Sequence, residues 1–188
     1  MDNFDDQQYI CRVRQGDTKA FAALVNQYKD LVFTLSLKML KDREEAEEVA
    51  QDTFVKIYQA LNKFNGTSKF STWIYKVTFN TCLDRLKKNK RSQRAAQPGH
   101  AIEGESLPSL NILDSIEERD RKKMIRDCLD RLPGEDSFLL TLYYFEEMSM
   151  EEIATIIGIN ANNVKIRLFR SRKKFAALLK DRSAPQIL

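Results

Sequence analysis

Apolar residues recur at intervals of three and four along most of the chain, and this spacing restricts the fold more than any other feature. A period of this kind places the apolar side chains on one face of a helix. The β-branched alternation that would indicate strands is nearly absent, and the 188 residues include only six glycines and four prolines. The sequence therefore predicts an all-α fold in which each helix buries one face.

One stretch, residues 95–113, interrupts the helical spacing. It contains two prolines and two glycines, has no lysine or arginine, and lacks a sustained apolar face. Proline and glycine interrupt regular structure and are typical of connecting segments. We therefore expect two small helical domains, over residues 1–94 and 114–188, joined by a flexible linker over 95–113.

Three stretches of helical spacing predict three helices in the first domain. Asp17 can cap the first helix, whose apolar face extends over residues 21–39. Asp42, with Glu45 three residues later, resembles a capping box at the start of the second helix. The third helix should run from about residue 71 to residue 90. Its expected buried positions include Trp73, Ile74, Val77 and Leu86.

In the second domain, a helix that Ser115 and Glu118 can cap is expected to stop at Pro133-Gly134, and a shorter one to cover residues 136–145. The pattern that follows is typical of a helix-turn-helix. Ser149 and Glu152 form a further capping box, Gly158 suits the left-handed end of that helix, and Asn160 can cap the next.

The final helix of the helix-turn-helix carries a cluster of cations. They are Lys165, Arg167, Arg170, Arg172, Lys173 and Lys174. Apolar residues between the two helices would pack them together and leave the basic face for the major groove of duplex DNA. The alternative is an ordinary solvated helix that happens to be basic.

A second basic cluster, residues 85–94, ends the third helix of the first domain. Favourable interaction with the helix dipole is one explanation, because cations stabilise any helix C-terminus. Aromatic, amide and hydroxyl residues stand upstream, over residues 64–80, and such groups suit unstacked bases. This favours a single-stranded nucleic acid as the ligand. Trp73 is interpreted as a core residue rather than a stacking surface, since its spacing matches Val77.

A third cluster is acidic and lies at the start of the second helix. Its members are Asp42, Glu44, Glu45, Glu47, Glu48 and Asp52. Clustered carboxylates can hold Mg²⁺, so a metal-dependent nuclease is one alternative. The helix macrodipole already favours carboxylates there, however, and either a solvated face or a docking surface for a basic partner is the better interpretation. Since no phosphate loop, nucleophilic triad or metal-spaced His/Cys set occurs, we expect no enzyme activity, cofactor or metal.

Cysteine usage and the N-terminal residues indicate where the chain works. Cys11, Cys82 and Cys128 are far apart and odd in number, which argues against a disulfide framework, and we expect all three to be small buried hydrophobic residues. The first residues are acidic where a secretory signal would be basic, and no apolar run is long enough to span a membrane. These features predict a cytoplasmic protein without membrane insertion.

At this point the residues resemble a known family, the extracytoplasmic-function (ECF) group of bacterial RNA polymerase sigma factors. Region 2 of that family is similar to the stretches DTKAFAALVNQYKDLVF, EEAEEVAQDTFVKIYQALNKF and FSTWIYKVTFNTCLDRLKK. Region 4 is similar to LDRLPGEDSFLLTLYYFEEMSMEEIATIIGINANNVKIRLFRSRKKFAALL. The two regions together, in this order, are far more specific than a lone helix-turn-helix.

The resemblance implies that region 2, residues 1–94, docks on core RNA polymerase and captures the melted strand near position −10 of promoter DNA. The residues implied to face the polymerase clamp are Glu48, Gln51, Asp52 and Val55. The residues implied to hold flipped and unstacked bases of the single strand are Asn65, Gly66, Thr67, Ser68, Lys69, Thr72, Lys76 and Asn80.

Region 4, residues 114–188, is implied to read duplex DNA near position −35 and to touch the polymerase flap. Four residues match positions aimed at base edges, namely Lys165, Ile166, Phe169 and Arg170. Three others match positions nearer phosphates, namely Asn163, Arg167 and Lys173. The chain departs from the family where Asn162 and Asn163 replace a common Gly-Thr. Ile166 replaces a frequent small hydroxyl residue and has the stereochemistry to contact a thymine methyl.

Regulation is expected to come from a partner, an anti-sigma factor, because no further sensory domain is expected beyond the two regions. The principal alternative function is a free-standing transcription regulator that binds duplex operators through the same helix-turn-helix. The clamp-like and strand-capturing features of residues 17–91 count against that alternative.

Overall fold

The computed structural model describes residues 5–95 and 116–183. Within these ranges the chain forms eight α-helices and no strand, which confirms the predicted all-α fold. The helices are α1 (Asp6–Arg14), α2 (Thr18–Leu40), α3 (Arg43–Ala60), α4 (Phe70–Ala95), α5 (Ile116–Arg131), α6 (Gly134–Tyr144), α7 (Met150–Ile157) and α8 (Ala161–Ser183). The chain divides into two compact units, Met1–Pro98 and Gly99–Leu188.

The first unit is built on α2, α3 and α4, and its helices begin where the sequence predicted. The Asp17 carboxylate accepts from the backbone N–H groups of Lys19 and Ala20, so α2 has the predicted cap. α2 ends at Lys41, in the left-handed conformation with φ of 62°. Asp42 then caps α3 by accepting from the N–H of Glu45. Residues of all four helices and the turn Leu61–Lys63 pack into one core, which includes Leu24, Val32, Ile57, Leu61 and Ile74.

Helix α1 was not predicted. It buries Ile10 and Val13 in the core of the first unit, and its Asp6 carboxylate accepts a hydrogen bond from the Tyr28 hydroxyl at 2.8 Å. Burial raises the pKa of Asp6, and the bond from Tyr28 opposes that change. A helix of nine residues is shorter than the window over which helical spacing is recognised. Contacts with α2 stabilise α1, since a helix this short is marginal alone.

The second unit contains the predicted helix-turn-helix. Ser149 and Glu152 form a complete capping box on α7, and Gly158 ends α7 with φ of 72°. The side chain of Asn160 accepts from the N–H of Asn163 and so caps α8, also as predicted. Ile153 and Ile156 of α7, together with residues of α8, are buried and lock the two helices together. The α8 residues that do this are Val164 and Leu168.

Some sequence predictions need correction or fall outside the described residues. α4 extends to Ala95, five residues beyond the predicted end, and so includes the first residue assigned to the linker. The rest of the linker and the Ser115 cap lie outside the described residues.

Cys11 is exposed on α1 and is not the buried residue that was expected. Cys82 and Cys128 are buried, and burial raises the pKa of the Cys82 thiol to about 11. No helix among the described residues is long and apolar enough to span a membrane.

Truncating the α7–α8 contact should destabilise the fold. Leu168 is fully buried, whereas its neighbour Phe169 is 56% exposed. We expect Leu168→Ala to lower the free energy of unfolding by about 2–5 kcal/mol, because it leaves a cavity. Phe169→Ala should change it by less than about 0.5 kcal/mol. Urea unfolding followed by circular dichroism measures both, and equal losses would contradict the assigned burial.

Candidate nucleic-acid interface

The outward face of α3 brings together the four residues that were implied to face a polymerase. Their spacing of three, four and seven places Glu48, Gln51, Asp52 and Val55 on one side of the helix, and all four are exposed. Val55 is 54% exposed and adds an apolar side chain to this charged face. Tyr58, three residues further on, is also exposed and was not predicted. The spacing alone would have identified it.

Two of these carboxylates pair with a cation of α4. The Arg85 guanidinium donates to Glu48 at 2.8 Å and lies 4.0 Å from Asp52. The bond with Glu48 raises the pKa of Arg85. Only 18% of the Arg85 side chain is exposed. Arg85 therefore belongs to the interface between α3 and α4, and its assignment to a basic patch for nucleic acid was wrong.

Further polar contacts hold α3 against α4 on either side of Arg85. The Asn89 amide donates to both Glu45 carboxylate oxygens, at 2.7 and 2.9 Å. Lys56 donates to the Thr81 hydroxyl at 3.3 Å and lies 3.7 Å from the Asp84 carboxylate. Together these contacts leave the outer face of α3 at a defined orientation relative to α4.

The loop before α4 carries the first half of the implied strand-binding set. Asn65 makes a turn in which its side-chain oxygen accepts from the Thr67 backbone N–H at 3.2 Å and from the Thr67 hydroxyl at 2.8 Å. Gly66 occupies the left-handed region at φ of 73°, which favours glycine. Ser68 is half-buried, and the other loop residues, including Lys69, are exposed. The loop thus presents amide, hydroxyl and cationic groups outward.

The aromatic residues near this loop form core rather than a stacking surface. Phe64 and Phe70 are buried with ring centroids 5.3 Å apart, and Trp73 packs against both at 5.3 and 5.7 Å. Tyr75 and Phe79 are buried as well. The core assignment of Trp73, which is half-buried, is therefore confirmed. The inference that the neighbouring aromatic rings offer stacking surfaces was wrong, because the unit uses them to fill its interior.

Helix α4 contributes the second half of the set, with one exception. Lys76 and Asn80 are exposed one turn apart. Thr72 is only 3% exposed, because it belongs to the buried row that continues through Tyr75 and Phe79. That row has the spacing three and four, which the sequence already displayed. Thr72 therefore cannot contact a strand in this structure.

Helix α8 presents its implied DNA-binding residues outward. Ile166 is 48% exposed and Phe169 is 56% exposed. The other implied residues of this helix are also exposed, namely Asn163, Lys165, Arg167, Arg170 and Lys173. The opposite side of α8 is buried at Val164, Leu168 and Ser171. Helix α8 thus has one side buried in the core and an opposite side that carries exposed cations and apolar residues.

Several cations of α8 are engaged within the unit. Lys174 lies 2.5 Å from the Asp136 carboxylate, which also accepts from the Ser171 hydroxyl at 2.6 Å. Arg172 lies over the Tyr143 and Tyr144 rings at 5.4 and 5.6 Å. These contacts hold α8 against α6, so Arg172 and Lys174 serve packing as well as charge.

Two outward-facing cations also have neighbours in the second unit. Arg167 lies 3.5 Å from the Glu135 carboxylate, and Lys173 lies 4.9 Å from the Phe169 ring centroid. Both contacts are at the surface, where an ion pair such as Arg167–Glu135 contributes little to stability. In the part of the chain that the structure describes, no group of His, Cys, Asp and Glu side chains is arranged to hold a metal ion.

Comparisons with known families agree with both halves of this geometry. The family model described as Sigma-70 region 2 matches residues 24–92, and the one described as Sigma-70, region 4 matches residues 122–175. The first match contains α3, the loop and the outward residues of α4. The second contains the helix-turn-helix.

Curated relatives match over nearly the whole chain. The RNA polymerase sigma-H factor of Pseudomonas aeruginosa is 35% identical over 180 residues, which cover 89% of this chain and 90% of that protein. The ECF RNA polymerase sigma factor SigW of Bacillus subtilis is 32% identical over 178 residues, covering 92% and 95%. The ECF RNA polymerase sigma-E factor of Escherichia coli is 31% identical over 175 residues, covering 89% and 91%.

Two solved structures share the fold. One is the sigma factor RpoE in complex with the anti-sigma factor NepR from Bartonella quintana, with a TM-score of 0.68 at 22% identity, covering 86% of this chain and 98% of that chain. The other is CnrH in complex with the cytosolic domain of CnrY, with a TM-score of 0.63 at 21% identity, covering 95% and 99%.

The fold and the two family matches thus define the class of protein: an all-helical transcription initiation factor with two regions. The chain belongs to the ECF group of the sigma-70 family of RNA polymerase sigma factors. A sigma factor binds core RNA polymerase and directs promoter-specific initiation of transcription, and this function is favoured over that of a free-standing regulator.

Proposed function

We propose that the two units divide promoter recognition between them, each through the outward face described above. The first unit docks on the polymerase clamp through α3 and holds the melted non-template strand near −10 with the loop and α4. The second unit reads duplex DNA near −35 with α8. The observation that carries this proposal is that the implied residues of α3, α4 and α8, apart from Thr72, are exposed on helices whose opposite sides form core, and that the implied loop residues, apart from the half-buried Ser68, are exposed as well.

The docking surface on α3 consists of Glu48, Gln51, Asp52 and Val55. Carboxylates beside an exposed valine suit a partner with basic side chains around an apolar contact. The pairing of Glu48 and Asp52 with Arg85 supports this role, because it holds both carboxylates in place before the partner arrives. Docking does not require these pairs to break, since both carboxylates remain largely exposed.

Asp52→Arg should abolish assembly with core polymerase while leaving the helical content unchanged. A charge reversal at an exposed position costs the fold little but opposes a basic partner. Size-exclusion chromatography with core polymerase measures assembly, and circular dichroism checks the fold. Asp30→Arg, the same reversal at an exposed position of α2, is the control and should co-elute normally. Unchanged co-elution of Asp52→Arg would remove Asp52 from the docking surface.

The strand-binding surface comprises residues of the loop and of α4, all of them exposed except the half-buried Ser68. They are Asn65, Gly66, Thr67, Ser68, Lys69, Lys76 and Asn80. Amide and hydroxyl groups hydrogen-bond the Watson–Crick edges of unstacked bases, and lysines attract the phosphates. Because the nearby aromatic rings are buried, we infer that this surface selects bases by hydrogen bonds rather than by stacking.

Asn80→Ala should weaken capture of the melted strand by about fivefold, the effect of one lost hydrogen bond. Thr72→Val is the control, since Thr72 is buried on the same helix and should leave strand affinity unchanged. Fluorescence anisotropy of the holoenzyme with a single-stranded oligonucleotide carrying its −10 element measures both variants. If Thr72→Val weakens binding as much as Asn80→Ala, the strand does not follow the outward face of α4.

The duplex-reading surface on α8 combines base-edge and phosphate contacts. We assign to Arg170 the bidentate contact that arginine makes with guanine, and to Ile166 and Phe169 apolar contacts with thymine methyl groups. Lys165 lies on the same outward face. Three exposed residues around them would meet phosphates, namely the cations Arg167 and Lys173 and the neutral amide of Asn163.

Arg170→Ala and Lys173→Ala should differ in their effect on duplex binding. Loss of a base contact costs roughly 1–3 kcal/mol and relaxes the preference at one base pair, which we expect for Arg170. Loss of a phosphate contact weakens all sequences alike and lowers the salt slope by about one, which we expect for Lys173. Salt titrations on a panel of single-base variants of the −35 duplex distinguish the two. Equal losses on every sequence would refute this division.

An anti-sigma factor is the regulatory partner that we propose. The sigma factor RpoE and the CnrH protein, which share this fold, were each solved in complex with a partner, an anti-sigma factor in the first case. We also propose that the chain acts in the cytoplasm and has no catalytic activity of its own, since every surface assigned above serves binding.

A further inference from the structure

Arg14, on the unpredicted helix α1, contacts the chain next to the proposed strand-binding loop. Its guanidinium donates to the carbonyl oxygen of Leu61 at 3.0 Å and also to the carbonyl oxygen of Phe64. These acceptors lie 47 and 50 residues away in the sequence. The contact joins the first helix of the unit to the end of α3.

The two carbonyls belong to the segment that directs the chain into the loop. Leu61 follows the last residue of α3 and begins the short turn Leu61–Lys63, and Phe64 ends that turn. The last carbonyls of a helix have no partner within it, and a cation is favoured beside them. One guanidinium that binds two such carbonyls fixes the direction in which the backbone leaves Phe64 for Asn65.

The other contacts that order the loop involve side chains and residues beyond Phe64. Phe64 and Phe70 are held on either side of the loop by their contact in the aromatic core. Asn65 orders the next two residues through its bonds to Thr67. Within the described residues, it is the Arg14 guanidinium that holds the Phe64 carbonyl, where the backbone enters the loop.

Helix α1 does not depend on Arg14 for its own position. Ile10 and Val13 are buried in the core, and Tyr28 donates to the Asp6 carboxylate. At the other end of α1, Arg12 pairs with Asp17 at 2.7 Å. Removal of the Arg14 guanidinium should therefore leave α1 packed in the core and free only the Leu61 and Phe64 carbonyls.

We propose that Arg14 is a positioning residue for strand capture: from α1 it holds the Leu61 and Phe64 carbonyls and so sets the loop 65–69 in the geometry that receives unstacked bases. This inference deepens the strand-binding function proposed above and rests on it. Arg14 itself contacts no base, so its effect must be transmitted through the loop.

The test compares Arg14→Met with two controls in the holoenzyme. Methionine keeps the apolar stem and removes the donors, and Arg14→Lys restores a cation that can donate to the same carbonyls. Arg12→Met removes an equal charge two residues away on the same helix. The probe is a fluorescent single-stranded oligonucleotide selected by the wild-type holoenzyme from a randomised pool, and anisotropy gives its affinity.

We expect Arg14→Met to weaken oligonucleotide binding by about tenfold, the effect of losing charge-assisted hydrogen bonds. Arg14→Lys should retain most of the affinity, and Arg12→Met should bind as the wild type does. Co-elution with core polymerase and binding of duplex −35 DNA should be unchanged in all three. Hydrogen exchange over residues 62–70 of the free protein should quicken in Arg14→Met alone.

A double-mutant cycle with Asn65→Ala separates positioning from direct contact. If Arg14 acts through the loop, Asn65→Ala will cost much less in the Arg14→Met background than in the wild type. Additive losses, or an Arg14→Met variant that binds like Arg12→Met, would overturn the inference while the strand-binding function stands. If Asn65→Ala and Asn80→Ala have no effect in the wild type, the strand-binding function fails, and this inference with it.

Discussion

Burial of the inner side of α3 against α2 and α4 is the constraint on which the first unit depends. Ala46, Val49, Thr53 and Ile57 follow one side of the helix and are buried. A helix has one axis and a fixed period, so this row leaves no freedom in where the other residues point. The exposed row of Glu48, Gln51, Asp52 and Val55 follows directly from the buried one.

The same relation governs the second unit, where α8 has a buried and an exposed row. Val164, Leu168 and Ser171 face inward, and contacts from Asp136 to Ser171 and Lys174 hold α8 against α6. The residues proposed for duplex reading occupy the other side of the helix. Because packing orients α8, binding energy need not be spent on ordering it, which favours tight and specific recognition.

Long-range polar contacts changed the interpretation of several charged and polar residues. Arg85 had been counted with a basic cluster, yet it pairs with Glu48 across the α3–α4 interface. Lys174 likewise pairs with Asp136, 38 positions earlier in the chain. The Glu45 carboxylate was expected to complete a capping box with Asp42, and in the structure it accepts from the Asn89 amide. Such pairs depend on which helices are neighbours in space, and the sequence pattern of a single helix carries no information about that.

The sequence by itself determined the helices that have local signals at both ends, the division into two units and the family. Asp17, Ser149, Gly158 and Asn160 act on backbone groups within a few residues, so their roles are visible in a short stretch of sequence. Tertiary structure alone decided which aromatic rings are core and that Thr72 is buried, and it stabilises the short helix α1, whose local hydrogen-bonded signal is the Asp5 cap. It also placed Arg14 beside carbonyls about 50 residues away. The physical reason is that caps and helical spacing are local, whereas burial and long-range pairing are set by how helices pack against one another.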